Sequence, residues 1–323
     1  MIVTVTLNPA VDKVYWVDRL KIGRVTQEEF LTRATRSSTT AGGKGVNVSV
    51  FLSRMGLDNV AMGFVGGHTG HVVVRDLRDK NVTTNFVWVR GETRTNVTVL
   101  ERGRESIPIL INESGPPVSP TELERFIRRF RRMMGRTSWV VLGGSLPPGV
   151  PDDTYLRLAT IAREAGARVT LSAGGEALSL ALTACPDLVK PDTREHRTLQ
   201  GVPLDSRDAI ISAGRNIVTC GAGMVIISHE VTGDIAVSKE GVWELRSRLP
   251  TSAFKNLVGA DDVFLAGILY KTIQGAPVED ALRFGLAAGL LSAESDEKVC
   301  RDLERIEREM GSITVERVGG GEG

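Results

Sequence analysis

Val258-Gly259-Ala260-Asp261-Asp262-Val263-Phe264-Leu265-Ala266-Gly267 decides how this chain is read. The segment puts a carboxylate at the mouth of a helix. Val263, Phe264, Leu265, Ile268, Leu269 and Ile273 leave that helix no water-facing side, which predicts burial. A helix start exposes unpaired backbone N–H groups and a partial positive charge, so it suits a phosphoryl group. A carboxylate in the same turn can take a proton from an attacking hydroxyl. A plainer reading stands beside this one: two acids merely favouring a helix N-terminus.

A second segment, Ala41-Gly42-Gly43-Lys44-Gly45-Val46-Asn47-Val48-Ser49, also runs into a helix that ends near Gly56. Three glycines around one lysine let backbone approach a ligand closely. The glycine spacing is not that of a Walker A loop, and Gly45 stands where that motif needs Ser or Thr. The plainer alternative is a glycine turn with a solvated lysine.

The rest of the chain bounds the answer. At 323 residues it can bury a large core, and a net charge of +1 shows no nucleic-acid stripe. Arg125, Arg128, Arg129, Arg131 and Arg132 lie opposite the apolar stripe Leu123, Phe126, Ile127 and Phe130, so they read as a solvated helix face. Ser119-Pro120-Thr121-Glu122 opens that helix with a capping box. Cys185, Cys220 and Cys300 have no metal-ligand spacing, and their odd number suggests a reducing cytoplasm. No membrane span or signal peptide is visible, so neither a membrane nor a nucleic-acid partner is expected.

Buried strands are expected at Ile2–Leu7, Val60–Val65, Trp139–Leu142, Val169–Leu171, Leu188–Val189 and Met224–Ile227, with helices between them, including Thr154–Ala165. This alternation predicts an α/β fold: a mostly parallel central sheet with helices on both faces. Ligands in such sheets sit beyond the carboxyl ends of the strands. Val14–Thr35 and Thr84–Ile111 break the alternation and read as extended hairpins. Gly319–Gly323 reads as a flexible tail after one domain spanning 1–318.

The glycine segments, taken with Thr6-Leu7-Asn8-Pro9-Ala10-Val11-Asp12, Thr93-Arg94-Thr95-Asn96, Gly144-Ser145-Leu146-Pro147-Pro148-Gly149 and Lys190-Pro191-Asp192-Thr193-Arg194-Glu195, resemble the PfkB (ribokinase-like) carbohydrate kinases, hexose-phosphate branch. The resemblance covers essentially the whole chain. It implies a ribokinase-like fold with a β-sheet lid over the sugar site, formed by the two hairpins, and a homodimer joined through that lid. It also implies ATP-dependent phosphoryl transfer, with Mg2+, to a phosphorylated ketohexose. Fructose 1-phosphate giving fructose 1,6-bisphosphate leads, and tagatose 6-phosphate is the nearest alternative acceptor.

Carried onto this sequence, the resemblance implies Asp262 as the base and Gly259, Ala260 and Asp261 as an anion hole. Asp12, Gly42, Gly43 and Asn47 would hold the sugar. Lys44, Arg94 and Ser145 would meet its phosphate, Arg94 bidentately and Lys44 as a point charge. Lys190, Asp192, Ser228, Glu230 and Gly233 would meet the nucleotide, and Asp192 with Glu195 would hold magnesium through water. Three positions depart from the family pattern: Asp261 and Glu230 replace glycines, and Asp192 replaces an asparagine. Each adds negative charge near the nucleotide phosphates. A second reading follows, a catalytically impaired sugar-phosphate-binding homologue.

Overall fold

The computed structural model describes residues 1–21, 31–104, 108–193, 197–230, 233–250, 254–255, 257–295, 299–300 and 302–320. The chain starts with β1 (Ile2–Thr6), then β2 (Ala10–Val17), β3 (Ala34–Gly42), α1 (Lys44–Arg54), β4 (Asn59–Val65), α2 (Gly67–Asp79) and β5 (Thr83–Trp88). Next come β6 (Arg94–Glu101), β7 (Ile109–Asn112), α3 (Pro120–Met134), β8 (Trp139–Gly143), α4 (Thr154–Glu164), β9 (Arg168–Ser172), α5 (Gly175–Leu182) and β10 (Leu188–Val189). A short pair, β11 (Thr198–Leu199) and β12 (Val202–Pro203), precedes α6 (Arg207–Thr219), β13 (Met224–Glu230), β14 (Gly233–Ser238) and β15 (Gly241–Ser247). The chain closes with α7 (Ala260–Ile273), α8 (Val278–Glu294), α9 (Leu303–Glu309) and β16 (Ile313–Gly320).

Ten strands form the main sheet, in the order β16-β15-β14-β13-β10-β9-β8-β1-β4-β5. From β13 to β5 the pairs are parallel, and from β13 to β16 they are antiparallel. Every residue of β1, β4 and β8 is buried, as expected for strands covered on both faces. One face carries a core with α1, α2, α7, α8 and α9, and the other packs α3, α4, α5 and α6. Helix α7 lies between α1 and α8, which explains its lack of a polar face: Asp262 through Tyr270 are all buried. The capping box at Ser119 is present, with Glu122 answering the Ser119 N–H at 2.8 Å. No described helix is long and apolar enough to cross a membrane.

A four-stranded sheet, order β3-β2-β6-β7, stands over the carboxyl ends of the parallel strands. The expected hairpin boundaries change here. Thr84 to Trp88 pair with β4 as the edge of the main sheet, so only β6 and β7 of the second hairpin reach the lid. The first hairpin pairs Ala10–Val17 with Ala34–Gly42, so its return strand runs directly into α1; residues 22–30 lie outside the described residues. Of the expected tail, 321–323 lie outside the described residues, and Gly319 and Gly320 pair with Val242 and Gly241 as the end of β16. Cross-strand hydrogen bonding there takes up backbone groups that composition alone assigned to solvent.

Candidate active site

The turns following β1, β8 and β10 and the starts of α1 and α7 converge with the lid on one cleft of about 660 Å3. Asp12, Arg94 and Asn96 reach it from the lid, and Gly43, Lys44 and Asn47 from the start of α1. Ser145, Asp192, Gly259, Asp261 and Asp262 line it from the main body. This is the strand-end position at which open α/β sheets hold ligands.

The lid end is organised by register. Parallel pairing sets Asp12 beside Asn96 and Ala10 beside Arg94. Alternation along β6 then puts Arg94 and Asn96 on the same face. The Asn96 amide donates to Asp12 Oδ1 at 2.8 Å. Gly42 lies so close to Asp12 that a Cβ there would collide with its carboxylate. Gly42 thus serves by packing under the acid. Arg94 Nε donates to Asn8 O at 3.1 Å and Nη1 to Glu113 O at 3.2 Å. Burial pulls the guanidinium below the ordinary arginine range, and Asp12 works against that pull. The Asn8 amide donates to Ser114 O at 3.0 Å and to Ser145 Oγ at 3.3 Å, tying the turn after β1 to the turn after β8. The buried Tyr155 hydroxyl donates to Gly143 O at 2.9 Å, fixing the approach to Ser145.

Asn8 and Asn96 belong to the motif segments, yet sequence reasoning gave neither a role. The signal for Asn96 was present, because it stands two residues after Arg94 on a strand. No local pattern announces the Asn8 contacts, which join positions more than a hundred residues apart.

The α7 end is built from charges. Asp262, almost wholly buried, accepts from Asn47 Nδ2 at 2.8 Å and faces Lys44 Nζ at 3.5 Å. Lys44 Nζ also lies 3.2 Å from Asp192. The lysine expected at the sugar's phosphate therefore bridges two acids beside the α7 N-terminus, while Arg94 stays at the lid. Gly259 caps α7 with φ 89°, a conformation glycine adopts without steric cost. The expected anion hole of Gly259, Ala260 and Asp261 loses the Ala260 amide to the turn itself. Ala260 N–H donates to Leu257 O at 3.2 Å and Asp262 N–H to Gly259 O at 3.1 Å, because the first turn closes with tight i→i+3 bonds.

Lys190 and Ser228 lie behind this wall. Lys190 Nζ meets Ser228 Oγ at 2.9 Å, Asp234 Oδ1 at 3.0 Å and Asp261 Oδ1 at 3.3 Å. Burial opposes the ammonium charge, but Asp234 and Asp261 outweigh it and push its pKa above the ordinary lysine range. The segment from Ser228 that was expected as a loop belongs in part to antiparallel strands. Strand β13 continues to Glu230, which pairs with Gly233 of β14. Buried Asp234 and Ser228 share a hydrogen bond at 3.1 Å, which anchors this extension where the sequence suggested a loop. The Glu230 side chain, residues 231–232 and Glu195 lie outside the described residues.

The chain resembles known proteins over most of its length. The pfkB family carbohydrate kinase description matches residues 6–298. The chain is 36% identical over 297 residues to 1-phosphofructokinase of Bacillus subtilis (strain 168), covering 92% of this chain and 94% of that protein. It is 32% identical over 317 residues to D-tagatose-1-phosphate kinase of Bacillus licheniformis, covering 98% and 99%. It resembles the crystal structure of a possible 1-phosphofructokinase from Thermotoga maritima with a TM-score of 0.89 and 35% identity, covering 98% of this chain and 99% of that one. With the family description and full-length relatives in agreement, the chain belongs to the pfkB family of carbohydrate kinases.

Proposed function

We propose that this kinase moves the γ-phosphoryl group of ATP onto the free hydroxymethyl oxygen of a ketohexose already phosphorylated at C1, with fructose 1-phosphate giving fructose 1,6-bisphosphate. One observation carries the reading: the Asp262 carboxylate sits at the α7 N-terminus, 3.5 Å from Lys44, in a cleft whose opposite end holds Asp12 and Arg94. Asp262 takes the proton from the acceptor hydroxyl as its oxygen attacks the γ-phosphorus. The bond to the leaving ADP oxygen breaks, and ADP departs. Lys44 stands beside that path, where phosphoryl transfer needs positive charge. The Gly259 N–H at the mouth of α7 adds a donor. Asp12 accepts from sugar hydroxyls, and Arg94 with Ser145 holds the C1 phosphate. Both relatives named above carry a 1-phosphate substrate in their names, which favours C1 over C6 as the site of the existing phosphate.

Magnesium, bound with the nucleotide, would neutralise phosphate charge. An ion that keeps waters and phosphate oxygens needs only one or two carboxylates, and Asp192 lines the cleft in a position to be one. Glu195 is the second proposed holder.

The lid is the proposed dimer surface. On β7, Leu110 lines the cleft. Ile109 and Ile111 alternate to the other face and are 42% and 59% exposed, an apolar strip suited to a second copy of the lid. Light scattering of Ile111→Glu should show a smaller particle than wild type; an unchanged mass would refute the lid contact.

A coupled ADP-release assay across fructose 1-phosphate, D-tagatose 1-phosphate, fructose 6-phosphate and tagatose 6-phosphate tests the function. Turnover should be fastest with fructose 1-phosphate. Preference for a 6-phosphate would overturn the C1 assignment, and ligand binding without turnover of any of the four would leave only a sugar-phosphate-binding role.

A further inference from the structure

We propose that Asp261 is a built-in competitor of the nucleotide: its carboxylate covers Lys190 on the cleft side, and nucleotide phosphates must displace it, so this residue sets nucleotide affinity. The proposal rests on the kinase reading above and concerns the same cleft.

Exposure separates the two partners. The Lys190 side chain is 3% exposed and does not line the cleft, whereas the Asp261 side chain is 49% exposed and does. Asp261 therefore stands between the ammonium and the space a ligand would enter. The other contacts of Lys190 are Ser228, Asp234 and the Phe264 ring. Asp234 is buried on β14 and held by Ser228, so its pairing with Lys190 does not depend on Asp261. The Phe264 ring, one turn along α7 from Asp261, flanks the ammonium at 5.2 Å. Asp234 alone matches the lysine's single charge, and Asp261 is a second carboxylate on the same ammonium.

That extra anion falls where charge is already crowded. Asp192 and Asp262 both lie within ion-pair distance of Lys44. Asp261 is a third carboxylate lining the same end of the cleft. A polyphosphate arriving there meets like charge, which raises its energy unless a cation or Lys190 offsets it. The exposed carboxylate can turn toward water and open Lys190 to a phosphate oxygen. Nucleotide binding thus exchanges one anion for another on the same ammonium.

The test is Asp261→Asn, which keeps size and hydrogen-bonding capacity and removes the charge. ADP titrations in EDTA, followed by thermal shift, should show binding about three- to tenfold tighter than wild type, a gain that shrinks as salt screens it. In steady-state assays the nucleotide KM should fall by a similar factor while the sugar-phosphate KM holds. Asp261→Gly should move both readings the same way, which separates charge from side-chain packing. ADP binding that is unchanged, weaker or absent in Asp261→Asn overturns the proposal. The ADP titration needs no turnover. Tighter ADP binding in a protein that phosphorylates none of the four sugar phosphates would therefore sink the kinase reading and leave Asp261 as the competitor.

Discussion

The two ends of the cleft hold their polar groups by different means. At the lid end, Asp12 is oriented by an amide and Arg94 by two backbone carbonyls. Among the described residues, no carboxylate lies within ion-pair distance of Arg94. At the α7 end, each lysine is held by two acids: Lys44 by Asp192 and Asp262, Lys190 by Asp234 and Asp261. A phosphate arriving at the lid meets an oriented guanidinium that Asp12 and Glu113 influence from beyond ion-pair distance. A phosphate arriving at α7 must rearrange existing ion pairs first. Pre-orientation lowers the cost of binding at one end, and internal charge compensation raises it at the other.

Breaking each end separately sharpens this contrast. The largest effect is expected at the reacting point between them. Asp262→Asn should lower kcat by about two or more orders of magnitude, the range for loss of a general base, with both KM values nearly unchanged. Activity within a few-fold of wild type would remove Asp262 as the base. At the lid end, Arg94→Ala should raise the sugar-phosphate KM about 10- to 100-fold, as loss of charged hydrogen bonds predicts, and leave the nucleotide KM alone. Equal changes in both KM values would erase the distinction between the ends. The smallest effect lies outside both. Glu92 accepts from His68 N at 3.1 Å and Thr69 N at 2.9 Å at the start of α2. The Thr69 N–H and hydroxyl, the latter at 2.7 Å, and then the His68 N–H hold its pKa near 2, below the unfolded 4.5. A depressed carboxylate pKa stabilises the fold above the unfolded value and loses that effect as pH falls through the folded one. Glu92→Gln should lower Tm slightly at pH 7, and the gap from wild type should close as pH drops from about 4.5 toward 2. A change in either KM would show that α2 communicates with the cleft.

Much of this was legible from residues alone where the signal is local. Continuous apolar runs announced the parallel strands other than β5, and the Ser119 capping box announced the start of α3. The glycine segments announced the starts of α1 and α7. The antiparallel strands β14, β15 and β16 escaped because their partners are set by the sheet's edge and their composition is mixed. The division of 84–111 between two sheets escaped for a related reason: Thr83–Trp88 and Arg94–Glu101 have similar strand character, and only packing against β4 or β2 tells them apart.

Sequence by itself determined which chemistry this chain carries: a carboxylate at a helix mouth, a glycine-flanked lysine and an arginine on a strand, each fixed by residue type and near neighbours. Tertiary structure decided how those charges are shared. It moved Lys44 onto Asp192 and Asp262, placed Lys190 behind Asp261, and gave Asp12 its amide from Asn96. Ion pairing depends on distances of a few ångströms between residues far apart along the chain, and those distances exist only once the sheet and helices have packed.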